Sequence, residues 1–143
     1  MREILFRGKY KDTGEWVYWD AFGRTTTHTG KQHVLTVTSG AHTSYYYHAY
    51  QIMEKIDRTT VGQYTGLKDK NGKRIFEGDI VKKTSVPMQV LFDTESAQFF
   101  VRYCIGGKEP FYENTLHGHG YLEIIGNIHD NPELIGGADV QDT

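Results

Sequence analysis

The carboxylates of Glu77-Gly78-Asp79 are the first place in this chain where residue type and spacing could support chemistry. Side chains two apart on an extended backbone share a face, so both groups could offer oxygen ligands to one divalent cation. The structural reading is the stronger one. A Gly-Asp step before an apolar strand makes a turn in which the Asp accepts from nearby backbone N–H groups. Glu77, Gly78 and Asp79 are therefore expected to be turn residues, as are Asn71 and Gly72 just upstream. Asp69, Asn71 and Glu77 do not form a calcium loop, because the required ligand at every second position followed by glycine is missing. His117-Gly118-His119 has ligand-like spacing on a strand and would need a third ligand such as His129 or Glu123. The competing reading is a glycine-rich tip with solvated imidazoles. With no HExxH and no cysteine set, no metal is expected, and a metal-dependent hydrolase on His117, His119 and Glu77 or Asp79 ranks last among three functional readings.

Cys104 is the lone cysteine. Arg102 and Lys108 are close in sequence and would lower its pKa if it were exposed, but a lone cysteine is more often buried filler. It permits no intrachain disulfide and no multi-cysteine zinc site, which fits a reducing compartment. No GxSxG, P-loop or GxGxxG context is present, so hydrolase, NTPase and dinucleotide chemistries lack support and the chain is read as non-enzymatic. A chain of 143 residues buries enough surface to fold without disulfide or metal, and no cofactor is expected.

Charge is distributed unevenly. The whole chain carries a formal −2, which provides no global field for nucleic acid. Residues 58–83 hold seven basic side chains (Arg58, Lys68, Lys70, Lys73, Arg74, Lys82, Lys83) against three acidic ones, an excess of four that leaves −6 for the rest. Such a basic hairpin, with Tyr64, Phe76 and Tyr45-Tyr46-Tyr47 as stacking surfaces, is one way for a small barrel to grip single-stranded nucleic acid. The binding set would be Lys68, Lys70, Lys73, Arg74, Lys82 and Lys83. The plainer alternative is a solvated hairpin whose lysines guard an edge against pairing.

These residues must be positioned by strands. Short segments rich in β-branched and aromatic residues recur between glycine or Asn/Asp turns. Residues 4–10 and 15–22 flank Lys11-Asp12-Thr13-Gly14 and predict a hairpin. In its second arm Trp16, Tyr18 and Asp20 face one way, and Val17, Trp19 and Ala21 the other. Residues 24–50 are Thr-, His- and Tyr-rich, with Val34–Thr38 and Tyr45–Tyr47 as candidate strands, and 51–56 reads as either a short helix or a strand. Strands then follow at 61–67, 74–81, 89–93, 98–103 and 121–128. Asn71-Gly72 predicts a type I′ turn. Asn131, Pro132 and Gly136 predict a capped C-terminal helix of one or two turns. About five short antiparallel strands suggest a small closed or half-closed barrel.

Val61 to Val81, running Val-Gly-Gln-Tyr-Thr-Gly-Leu-Lys-Asp-Lys-Asn-Gly-Lys-Arg-Ile-Phe-Glu-Gly-Asp-Ile-Val, resembles the central signature of the YopX family of phage and prophage proteins. Arg2–Lys9 with Gly14–Tyr18, and Leu122–Leu134, look like that family's two flanking blocks. The resemblance implies a phage or prophage accessory protein of no established activity. It also implies a mainly β fold with an SH3-like barrel in its C-terminal part, and it supplies no catalytic residues. The expected organisation is an N-terminal hairpin and irregular unit over 1–57, and an SH3-like β-barrel with a short C-terminal helix over 58–143.

The leading expectation is a binding or self-assembling module, with its own copies or a phage or host protein as partner. Tyr10, Trp16, Trp19, Phe22 and the tyrosines of 45–50 would supply its aromatic face. Nucleic-acid binding is the alternative. With no apolar run of about 18 residues and no leader-like start, the chain is expected to work in the cytoplasm of a bacterial host, away from membranes.

Overall fold

The computed structural model describes residues 3–26, 54–103, 111–113 and 119–136. The fold is mainly β, with two antiparallel five-stranded sheets. The chain divides into two compact units, Met1–Tyr64 and Thr65–Thr143.

In the first unit, β1 (Leu5–Tyr10) and β2 (Trp16–Asp20) pair from Leu5↔Asp20 to Lys9↔Trp16. Gly14, at φ +71°, reverses the chain, and its N–H donates to the Tyr10 carbonyl. Glycine takes this left-handed conformation without the steric cost of a Cβ. Alternation along β2 buries Val17 and Trp19 with Ile56, and Phe6, Tyr10 and Val61 pack against them. The other face carries half-buried Trp16, whose ring receives the Arg7 guanidinium at 4.6 Å and the Lys9 ammonium at 5.4 Å. β3 (Thr25–Thr26) pairs with β2 and is too short to leave a periodic signal. The intervening turn is fixed by Asp20, which accepts from the Phe22 and Arg24 amides and from Arg24 Nε.

β4 (Ile56–Lys68) pairs with β1 through a register shift between Arg7 and Lys9. Thr60 fills the irregularity: its hydroxyl accepts from the Lys9 amide and donates to the Asp57 carbonyl. Gly8 lies where the strands and the Trp19 ring converge. A Cβ there would meet Ile56 Cγ2 at 2.8 Å and the Trp19 ring at 3.2 Å. We expect Gly8→Ala to cost about 1–3 kcal/mol, as overpacking of a closed site does. Urea denaturation followed by tryptophan fluorescence reads it directly, since Trp16 and Trp19 both lie in this unit; an unchanged midpoint would contradict the close packing.

In the second unit, β5 (Arg74–Phe76) lies beside β4, and the second sheet runs in the order β10-β6-β7-β8-β9. Its members are β6 (Asp79–Lys82), β7 (Pro87–Asp93), β8 (Gln98–Tyr103), β9 (Phe111–Glu113) and β10 (Glu123–Asn127). Pro87 opens β7, where a missing amide is tolerated. The pairings Val81↔Met88, Met88↔Tyr103 and Val90↔Val101 place these residues on one face. Ile75, Val81, Met88, Val90, Val101 and Leu122 form the core there, with Leu67, Phe99, Tyr103 and Ile124 against it. The sheet ends on β10 and β9, and among the described residues no pairing joins those edges. The strand count suggested a closed or half-closed barrel; the strands form two antiparallel sheets, and among the described residues no closed barrel is found.

The predicted C-terminal helix is a single 3-10 turn, Pro132–Ile135, closed by left-handed Gly136. Asn131 precedes it but makes no side-chain cap. Its Oδ1 instead accepts from the Asn127 amide, so the residue serves β10 rather than the helix. Val34–Thr38, Tyr45–Tyr47 and residues 51–53 lie outside the described residues; Glu54 and Lys55 are helical and lead directly into β4.

Candidate functional site

The basic residues are positioned by Asp69. Among the described residues the left-handed conformation at the β4–β5 loop falls on Gly72 (φ +79°) and not on Asn71. The loop is thus a three-residue connection, Lys70 to Gly72, rather than the two-residue type I′ turn that Asn71-Gly72 suggested. Gly72 donates to the Asp69 carbonyl, and the Asp69 amide to that of Lys73. The reason for the longer loop lies in the Asp69 side chain, which is 5% exposed. Its Oδ1 accepts from the Asn71 and Lys73 amides at 2.9 and 2.8 Å, and its Oδ2 from the Ile124 amide at 3.0 Å. One carboxylate therefore closes the loop and fastens it to β10, reinforced by the Lys70 amide donating to the Leu122 carbonyl at 2.8 Å.

That fastening brings a lysine of the β4–β5 loop and a lysine of β6 to one carboxylate. Glu123 Oε2 lies 3.3 Å from Lys70 Nζ and 3.8 Å from Lys82 Nζ. The two lysine side chains are 48% and 41% exposed and Glu123 33%, so these are solvent-screened pairs of small energetic weight. Lys68, Lys73 and Lys83 are exposed and Arg74 is half-buried. Arg58 belongs to the first unit. Glu123, invisible as a partner in the sequence, is the acidic member of this cluster.

The Glu77-Gly78-Asp79 segment is the connection between β5 and β6. Gly78 is left-handed (φ +92°), its amide donates to the Val90 carbonyl, and its carbonyl accepts from Ile128. Asp79 is 2% exposed and its Oδ2 accepts from the Phe76 amide at 2.7 Å. A carboxylate so enclosed and engaged is poorly placed to receive a cation.

His117 and Cys104 lie outside the described residues. His119 begins a short 3-10 turn, His119–Tyr121. Among the described residues no group of three or more His, Cys, Asp and Glu could hold a metal ion. The proposed stacking residues Tyr64 and Phe76 are 5% and 2% exposed, so neither presents a face to a base. Their strand positions point inward, which charge counting along the sequence does not detect. Of the aromatic face assigned to partner binding, Trp19 is in the core, Trp16 lies beneath two cations and Phe22 is exposed beside Arg24.

Buried Gln89 Oε1 and Arg102 Nε lack hydrogen-bond partners among the described residues. They belong to directly opposed residues of β7 and β8, one an acceptor and the other a donor, so they can satisfy each other by side-chain rotation. They require no ligand. Among the described residues no helix is long and apolar enough to cross a membrane.

No curated protein matches the chain. The family model described as YopX protein matches residues 5–136, nearly the whole chain, and takes in every strand above. By that match the chain belongs to the YopX family.

Proposed function

We propose that this YopX-family protein is a non-enzymatic binding module of the phage accessory type, acting in the cytoplasm of a bacterial host, and that its ligand is single-stranded nucleic acid. The observation that carries the reading is the convergence of Lys70 and Lys82 on Glu123, with Lys68, Lys73 and Lys83 exposed on the adjoining strands and loop. Lysines fixed to a rigid sheet track a phosphate backbone without the full entropic cost of ordering a flexible arm. The scaffold is an SH3-like half-barrel, in which the β4–β5 hairpin adds Leu67 and Ile75 to the core of the second sheet. Self-association has less in its favour, because most of its described aromatic residues are committed to packing in the first sheet.

The test is fluorescence anisotropy of a labelled oligothymidylate titrated at several salt concentrations. Wild type should bind at low salt and weaken as salt rises. Replacing Lys70 and Lys73 by Glu should reduce affinity at least tenfold and flatten the salt slope by about 0.7 for each phosphate no longer neutralised. Glu123→Gln should act oppositely. Freed of an internal anion, Lys70 and Lys82 engage phosphate more fully, so affinity rises a few-fold and the slope steepens, with little change in stability. Absent or salt-insensitive binding by wild type would refute the reading.

A further inference from the structure

We infer that Tyr121 is the base-stacking residue of this surface, giving it preference for unpaired bases over duplex. The inference rests on the nucleic-acid reading above and supplies the stacking partner which that reading requires. Lysines provide affinity for any phosphate chain, whereas discrimination in favour of single strands needs an exposed ring on which a base can lie. Tyr64 and Phe76 are buried and cannot serve.

Tyr121 is 74% exposed, although it directly precedes a core residue. The next residue, Leu122, is 2% exposed in the second unit's core, and its carbonyl accepts from the Lys70 amide at 2.8 Å. The one after that is Glu123, which holds Lys70 and Lys82. Tyr121 thus stands two residues before the acid that holds both lysines, at the end of a 3-10 turn, His119–Tyr121, just ahead of the anchored strand. An exposed ring two residues from the acid that gathers two cations offers a base a face to lie on while its phosphate reaches the ammonium groups. The Glu123 carboxylate occupies the place between the lysines that a phosphate oxygen would take.

The experiment compares Tyr121→Leu and Tyr121→Phe in the full chain, using labelled oligothymidylate of about 12 nucleotides and a duplex of equal length, within the site sizes such surfaces cover. The ring is exposed, so neither substitution should disturb folding; circular dichroism checks this. Tyr121→Leu should weaken single-strand binding about tenfold, the usual loss for one stacked base, while leaving duplex binding and the salt slope unchanged. Tyr121→Phe, which keeps the π face, should bind as wild type. Photo-crosslinking with a bromouracil-containing strand should label Tyr121 and be lost in the leucine variant.

If Tyr121→Leu binds single strands as wild type does while the Lys70 and Lys73 replacements fail to bind, the lysine surface stands and the stacking role is overturned. If wild type binds duplex and single strand equally, the stacking role is likewise overturned. If wild type binds neither, the nucleic-acid reading itself falls.

Discussion

Asp69→Ala should destabilise the second unit by about 3 kcal/mol, the largest single effect we expect of a polar substitution in this chain. The side chain is buried and accepts from three backbone amides, at Asn71, Lys73 and Ile124. Hydrogen bonds to a charged acceptor contribute about 1.5–3 kcal/mol each, and leaving a buried donor unpaired costs about 1–3 kcal/mol. The two loop amides can turn to water once the carboxylate is gone, so the full sum is not reached. The Ile124 amide is less able to, because it lies on a strand that neighbours the core. Asp69→Asn gives an intermediate loss: its carbonyl oxygen can keep the loop amides, but its NH₂ then faces the Ile124 N–H, donor against donor. Amide hydrogen exchange resolves this by residue, with protection lost at Asn71, Lys73 and Ile124 in the alanine variant and mainly at Ile124 in the asparagine variant. Unchanged protection at Ile124 would show that the carboxylate does not join the loop to β10. The lysine surface depends on that join, so the alanine variant should also weaken oligothymidylate binding.

The second large effect is expected at Gly126. A Cβ there would stand 2.5 Å from Asn131 Oδ1 and 2.8 Å from its Cγ. Gly126 is not among the glycines with positive φ, so the requirement is close approach and not backbone conformation. Asn131 cannot retreat freely: its Oδ1 accepts from the Asn127 amide, its own amide donates to the Asn127 carbonyl, and its carbonyl accepts from Leu134. Gly126→Ala must therefore displace the loop and the 3-10 turn that buries Ile135, at about 2–3 kcal/mol. Asn131→Ala alone should cost about 1 kcal/mol for its lost bonds. The double variant should be more stable than the sum predicts, by about 1 kcal/mol or more, because removing the asparagine also removes the clash. Additive losses in a thermal or urea double-mutant cycle would contradict the close approach.

Together Asp69 and Asn131 explain how β10 is finished as an edge. Its Ile124 and Asn127 amides donate to these two side chains, which come from opposite directions along the chain. An edge strand with capped amides is a poor template for pairing with another chain, which lowers the risk of edge-to-edge association. Much of the stretch that carries the resemblance to the family thus has a structural cause. Asp69, Gly72, Gly78, Asp79, Gly126 and Asn131 build turns and edges, and the lysines between them are carried on those turns.

The all-β character, the β1–β2 hairpin and strands β7, β8 and β10 of the second sheet were legible in the residues, because period-two alternation and glycine at reversals are local properties; β9, only three residues long, was not. The separation of Val17 and Trp19 from Trp16 and Tyr18 onto opposite faces was legible for the same reason, but which face turns inward was not. The type of the β4–β5 loop was not. Asn71-Gly72 satisfies a type I′ turn by its own preferences, and a carboxylate reaching an amide 55 positions away made the longer loop the more stable one. The helix cap failed similarly, since Asn131 found a partner in β10 instead of in its own turn. Tyr64 and Phe76 look like stacking residues in a basic stretch, yet burial depends on which face of a strand meets the core. Local residue preferences set where most of the chain extends and where it reverses. Which aromatic rings stay exposed and which acid gathers Lys70 and Lys82 depend instead on contacts between segments far apart in the chain, which no local preference encodes.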